Sequence, residues 1–219
     1  MKEKILTPEF RLNFFFGLFI SSVIMSNLIG GKISFLPVLG FQIAFSVGLI
    51  PFFFTFFLLD SISEVYGRAK SRELIWIAAL CLAVVFFFVM LSTALPFAER
   101  SWVKAEQFNS VFSTSMRMIF ASLVSFVLAD LNDALVFTRL KELMKSKFLW
   151  FRVNISNFVG QTIDTFCFMF LAFWNFFGLI KGYDAFFVIS LALPYLGLKL
   201  VLSIINTPFV YAAVKWLKG

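Results

Sequence analysis

The segment VNISNFVGQTIDTFCF, residues 153–168, places Asn154, Asn157, Gln161 and Asp164 at intervals of three, four and three inside an otherwise apolar run. On a helix these side chains fall within about 80° of one another, so they form one polar stripe that ends in a carboxylate. Further chemistry-bearing groups sit in other apolar runs. SFVLADLNDALVF sets Asp130 and Asp133 about one turn apart, and YLGLKLVLSIIN brings Tyr195, Lys199, Ser203 and Asn206 onto one face. Asn27 lies just before GGK, while Asp60 and Glu64 share a face in LLDSISEVYG. Carboxylates accept hydrogen bonds, amides donate and accept, and the Lys199 ammonium donates. Surrounded by phenylalanine, this set suits a compact planar heterocycle. Carboxylates would take its N–H groups, Lys or Gln its carbonyl, and aromatic side chains its ring faces.

Other chemistry is not expected. The chain has no His, which removes imidazole as a general base, a zinc ligand or a pH switch. Its Gly-Gly-Lys, in GGKIS, lacks the spacing and hydroxyl of a phosphate loop, so nucleotide hydrolysis is not expected. Cys81 and Cys167 lie in apolar runs without metal-ligand spacing, so no disulfide, metal or cofactor is expected.

The elements that must position these groups follow from composition. With 61% hydrophobic residues, 14% charged residues and 34 Phe, at a mean hydropathy of +0.94, the chain carries more apolar side chain than one soluble core hides. Several apolar runs reach the roughly 20 residues that cross a bilayer. They predict an all-α, polytopic membrane protein: one integral membrane domain, 1–219, with six transmembrane helices. The spans are expected near 12–29, 38–60, 73–95, 117–139, 153–179 and 185–214. Thirteen of the 19 basic residues fall at the two termini and in the second and fourth loops. The positive-inside rule therefore puts both termini in the cytoplasm. The charge excess of +7 thus belongs to the membrane surface and not to direct nucleic-acid binding. The lipid bilayer is the expected partner of the apolar surface, and the oligomeric state is left open.

On this topology Asp164 lies about 18 Å along the fifth helix from Arg152, near the midplane. Lys199 lies near the middle of the sixth. Lys199 can neutralise one of Asp130, Asp133 and Asp164, so the others need a proton, a cation or hydrogen-bond donors. Simple helix adhesion accounts for Asn154, but ionisable groups on three helices at similar depth point to a solute site. The pattern predicts a small facilitator or ion-coupled carrier and not an enzyme, with a compact polar solute bound among helices four, five and six. Two alternatives stay open: a substrate-binding membrane subunit of an ATPase-driven vitamin transporter, and an intramembrane Asp-dependent enzyme. The absence of Ala from LNFFFGLFISSVIMSNLIG weakens the first, and the lack of a second acidic motif at matching depth weakens the other.

The same residues carry a resemblance. SNLIGGK with Asn27, DSISEVYG with Asp60, Glu64 and Gly67, ASLVSFVLADLNDALVF with Asp133, NFVGQTIDT with Gly160, Gln161 and Asp164, and LKLVLSI with Lys199 resemble the queuosine-precursor transporter family, vitamin-uptake-transporter-like membrane proteins. The resemblance covers essentially the whole chain. It implies a six-helix, multi-pass importer in the cell inner membrane for 7-deazaguanine bases (the cyano and aminomethyl precursors, or queuine) that are used in tRNA modification. A guanine-like edge would give N1–H and its exocyclic amine to Asp164 or Asp133, oriented by Gln161 and Asn157. Lys199 would balance the acids or donate to O6, and Asp60 and Glu64 would shape the cytoplasmic exit. At Asp130 the family pattern more often has an uncharged amide, so this extra acid suggests a substrate with a cationic amine.

Overall fold

The computed structural model describes residues 7–38, 41–143, 149–176 and 182–218. The side chains of 36, 38, 41, 43, 130–138, 140–143, 149–157, 203, 204 and 207 lie outside that description. The element order is α1 Pro8–Ile29, β1 Ile33–Val38, β2 Phe41–Ser46, α2 Leu49–Tyr66, α3 Arg68–Ala94, α4 Ala105–Leu143, α5 Leu149–Phe173, α6 Ala185–Ile205 and α7 Thr207–Lys218. Five helices among the described residues are long and apolar enough to cross a membrane, and Phe158–Phe173 of α5 is a shorter apolar helix. Apolar side chains on their outer faces, such as Trp76, Leu80, Val84, Phe87 and Leu91 along α3, are exposed. That is the surface a lipid-solvated helix presents.

Local sequence explains several helix ends. Pro8 opens α1 beneath Thr7, whose Oγ1 accepts from the Phe10 amide at 3.1 Å. Asp184 caps α6 in the same way, its Oδ1 accepting from Phe187 N at 2.9 Å. The α2–α3 connection is Gly67 alone, at φ 85° and ψ 167°, a backbone region that side-chain-bearing residues avoid. The expected basic second loop is therefore absent. Arg68, Lys70 and Arg72 occupy the first turns of α3, where Lys70 pairs with Glu73 at 2.7 Å.

Three expected spans differ from what forms. Residue 38 and residues 41–46, read as the start of the second helix, belong to an antiparallel strand pair that joins Ile33 with Ser46 through Val38 with Phe41. A short apolar run does not distinguish strand from helix by periodicity. Here Pro37 breaks helical bonding but is tolerated in a two-stranded sheet, where each strand is an edge. The fourth helix starts twelve residues earlier than expected and runs for 39 residues, about 58 Å at 1.5 Å per residue. The sixth expected span, 185–214, is two helices divided at Asn206. Pro208 lacks the amide that would bond the Ile204 carbonyl, and its ring crowds that carbonyl. Asn206 N still donates to Leu202 O at 2.8 Å and its carbonyl accepts from Val210 N at 3.0 Å, so these helical bonds are kept on either side of the break.

The chain forms two compact units, Met1–Ile119 with Leu198–Gly219, and Phe120–Gly197. In the first, Phe15 and Phe19 of α1, Leu58 and Ile62 of α2, Leu74 and Ala78 of α3, and Ala213 and Leu217 of α7 form the core. The start of α1 and the end of α7 lie together. Arg11 Nη1 donates to Trp216 O at 2.8 Å, and Phe15 stacks on the Trp216 ring at 5.3 Å between centroids. At the other end of α1, Ser26 Oγ donates to Gly48 O at 2.8 Å and Ser46 Oγ to Gly30 O at 2.6 Å. A Cβ at Gly48 would sit 2.4 Å from Ser26 O, so only glycine lets the hairpin base close onto α1. In the second unit, Met169, Ala172 and Phe173 of α5 and Val188, Leu191 and Ala192 of α6 are buried. The turn between these helices is held by Tyr183 N to Phe173 O at 2.8 Å and Asn175 N to Tyr183 O at 2.9 Å.

The Gly67 geometry yields a test. Gly67→Ala has open space around its new methyl group, so its penalty comes from the backbone, about 1–3 kcal/mol. A thermal melt of the purified protein in detergent should show a lower midpoint. An unchanged midpoint would mean the α2–α3 connection relaxes freely.

Candidate functional site

In the second unit, α5 carries the described half of the polar stripe. Gly160 is buried, Gln161 and Asp164 are half-buried, and Thr165 is fully buried. The Asp164 carboxylate lies within electrostatic reach of Tyr195, a buried residue of α6, and of Cys167 on its own helix. Thr162 turns its hydroxyl back to Phe158 O at 2.8 Å, so it adds no free hydrogen-bonding group to the face. Asp164 and Gln161 thus set a carboxylate acceptor one turn from an amide that both donates and accepts, groups chemically able to pair with N–H donors. Asp130 and Asp133 fall on α4 and Asn157 on α5, but their side chains lie outside the described residues.

In the first unit, the polar residues of α2 meet those of α6 and its continuation. Lys199 is 5% exposed, and its Nζ lies 5.0 Å from the centroid of the Phe52 ring. That is within cation–π range, worth about 2 kcal/mol or more when desolvated. Two turns further along both helices, Asn206 Nδ2 donates to Asp60 Oδ2 at 3.2 Å. Phe52 precedes Asp60 by eight residues and Lys199 precedes Asn206 by seven, so the two segments run in parallel with matched faces. Asp60 keeps an open side, whereas Asn206 is 1% exposed. Glu64, one turn beyond Asp60, is exposed. Asn27 is buried, and its Nδ2 donates to Val23 O of its own helix at 2.9 Å. Part of its capacity thus serves α1.

The structure brings Asp60 together with Asn206, a pairing that sequence spacing does not reveal. Asn206 was readable as a member of the Lys199 face. Its burial at a helix break could be anticipated from Asn-Thr-Pro, since proline two residues on interrupts the helix there. No group of three or more metal-ligating side chains occurs among the described residues. A shallow depression of about 350 Å³ lined by Ser92, Leu95, Phe97, Arg100 and Phe108 sits at the α3–α4 connection and contains none of the expected site residues.

Lys199 is testable through the Phe52 contact. Methionine retains most of the stem packing but removes the charge from the ring, an interaction worth about 2 kcal/mol or more when desolvated. Lys199→Met should therefore lower the thermal midpoint in detergent. An unchanged midpoint would show that the charge is not held there for stability.

A family model described as "Putative vitamin uptake transporter" matches residues 46–213. The "Probable queuosine precursor transporter" of Bacillus subtilis (strain 168) is 28% identical over 176 residues, covering 80% of this chain and 74% of that protein. The "Queuosine precursor transporter" of Escherichia coli (strain K12) is 28% identical over 171 residues, covering 77% and 72%. No solved structure matches the chain. The family match runs from the end of β2 into α7 and takes in every polar group described above except Asn27; a chain matched over that length belongs to this vitamin-uptake-transporter family, and is a multi-pass membrane transporter and not an enzyme.

Proposed function

We propose that this chain imports 7-deazaguanine precursors of queuosine, or queuine, across the cell inner membrane to supply tRNA modification. The observation that carries this reading is the pair of curated relatives named queuosine precursor transporters, each aligned over about three quarters of the chain. The chemistry of the polar residues agrees. A guanine-like edge presents two adjacent donors, N1–H and the exocyclic amine, which a single carboxylate accepts side by side. Asp164 or Asp133 takes that role, with Gln161 and Asn157 orienting the ring. Lys199 serves as the O6 donor or as counter-charge, Asn27 contributes an amide from α1, and Asp60 and Glu64 shape the cytoplasmic exit. Asp130 adds a negative charge that favours a base bearing a cationic aminomethyl group. With six spans and both termini in the cytoplasm, the basic residues face the anionic inner leaflet.

Recognition through a carboxylate is demanding, because removing it leaves the substrate's two donors unpaired. In cells that neither make nor import deazaguanines, the wild-type chain fed with the correct base should restore queuosine to tRNA. Asp164→Asn should reduce the initial uptake rate at least about tenfold, equivalent to ~1.4 kcal/mol. Normal transport by both Asp164→Asn and Lys199→Ala at matched expression would overturn the residue assignment. No rescue by any base, despite confirmed insertion, would overturn the substrate. Equal competition by the neutral cyano base would remove the role given to Asp130.

A further inference from the structure

Asn206 presents a hydrogen-bonding deficit that substrate binding elsewhere does not resolve. It is 1% exposed, its Nδ2 donates to Asp60 Oδ2 at 3.2 Å, and its Oδ1 is buried without a donor among the described residues. A buried acceptor left unpaired is costly, all the more where the surroundings are lipid and not water. Reversing the amide gives no relief. It would set an oxygen against the carboxylate and leave the NH₂ group without an acceptor. With an ionised Asp60, neither orientation satisfies both atoms. A proton on the second Asp60 oxygen would supply the missing donor, because a carboxylic acid and a primary amide can form a paired ring in which the amide N–H donates to one acid oxygen and the acid O–H donates to the amide oxygen.

We propose that Asp60 and Asn206 form a proton-binding site, in which Asp60 carries the proton and Asn206 holds it by this acid–amide pair. The ligand is H⁺, taken up from water on the open side of Asp60 and bound reversibly, so that the carboxylate goes from charge −1 to neutral. Asn206 is a positioning residue. Its location at the α6–α7 break gives proton exchange a mechanical consequence: loss of the proton sets two acceptors against each other where Pro208 has already removed one helical bond. Discontinuous helices in transporters commonly carry their coupling sites at such points.

The charged groups on the packed elements leave this assignment intact. On α1, Arg11 donates to Trp216 O. On α3, Lys70 pairs with Glu73, and Arg68 and Arg72 are exposed. On α6, Lys199 lies over Phe52. On α7, Lys215 and Lys218 are exposed, and on α2 itself Glu64 is exposed. Among the described residues, the side-chain hydrogen bond made by Asp60 is the one to Asn206.

The proposal rests on the transport reading only for its consequence, not for its test. Infrared spectra of the purified chain in liposomes at neutral pH should contain a hydrogen-bonded carboxylic C=O band that disappears in Asp60→Asn and moves in frequency in Asn206→Leu. Asp60→Asn is isosteric and keeps a donor for Asn206, so it tests the proton without removing the pairing. A spectrum unchanged by Asp60→Asn overturns the proposal. So does a missing band accompanied by a thermal midpoint that rises with Na⁺, which would make the ligand a metal cation. In the same liposomes, counterflow of a deazaguanine base without a gradient tests the substrate. An inward proton gradient should then raise wild-type uptake several-fold, and the ratio with to without gradient should fall to about one in Asp60→Asn. Absent counterflow with the band present would overturn the substrate while supporting the proton site. Counterflow without the band would do the reverse.

Discussion

The structure depends on one constraint: the hydrocarbon around these helices offers no hydrogen-bond partner, so each polar group must be satisfied by the protein itself. Where this is met locally, hydroxyls fold back onto their own helix. Ser61 and Thr55 of α2 donate to Phe57 O and Phe52 O, and Ser71 of α3 donates to Arg68 O. Buried and small, they let neighbouring helices approach closely. Where it is met between elements, it determines how the chain closes. Ser26, Ser46 and the backbone of Gly30 and Gly48 tie the hairpin to α1, and Ser115 Oγ reaches Leu28 O at 2.9 Å from α4.

Against this background a few polar groups within the helices become chemically significant. Lys199 is buried over a phenyl ring, the carboxylate of Asp164 faces the surroundings of Tyr195, and Asp60 shares a hydrogen bond with an amide whose other atom lacks a donor. A helix bundle held by apolar contact alone requires none of these. Their concentration in a chain with 14% charged residues is what a transporter of a polar solute needs: local polarity whose desolvation is offset only when a ligand, a proton or a partner residue is present.

Glycine and proline give the bundle its joints. Gly67 turns the chain from α2 straight into α3 within one residue, at a backbone geometry that excludes other side chains. Pro208 divides the last span at Asn206. The first joint brings the basic start of α3 against the end of α2. The second retains helical bonds on both sides, Asn206 N to Leu202 O and Val210 N to Asn206 O, and so is suited to bending.

By itself the sequence determined that this is a helical membrane protein of a transporter family, because hydropathy over some 20 residues and the motifs around Asp60, Gln161, Asp164 and Lys199 are properties of the chain that no packing partner alters. Periodicity also placed Asn206 on the Lys199 face. It could not distinguish the apolar strands at 33–38 and 41–46 from a helix, nor foresee that α4 begins at Ala105, since both outcomes depend on which surfaces meet. Nor could it pair Asp60 with Asn206. The two are 146 residues apart, and only the parallel packing of α2 beside the end of α6 and α7 sets a carboxylate against a buried amide. Type and spacing along one helix are fixed by geometry within the chain. Which polar groups meet across helices, and which are left without a donor, is decided only when those helices pack.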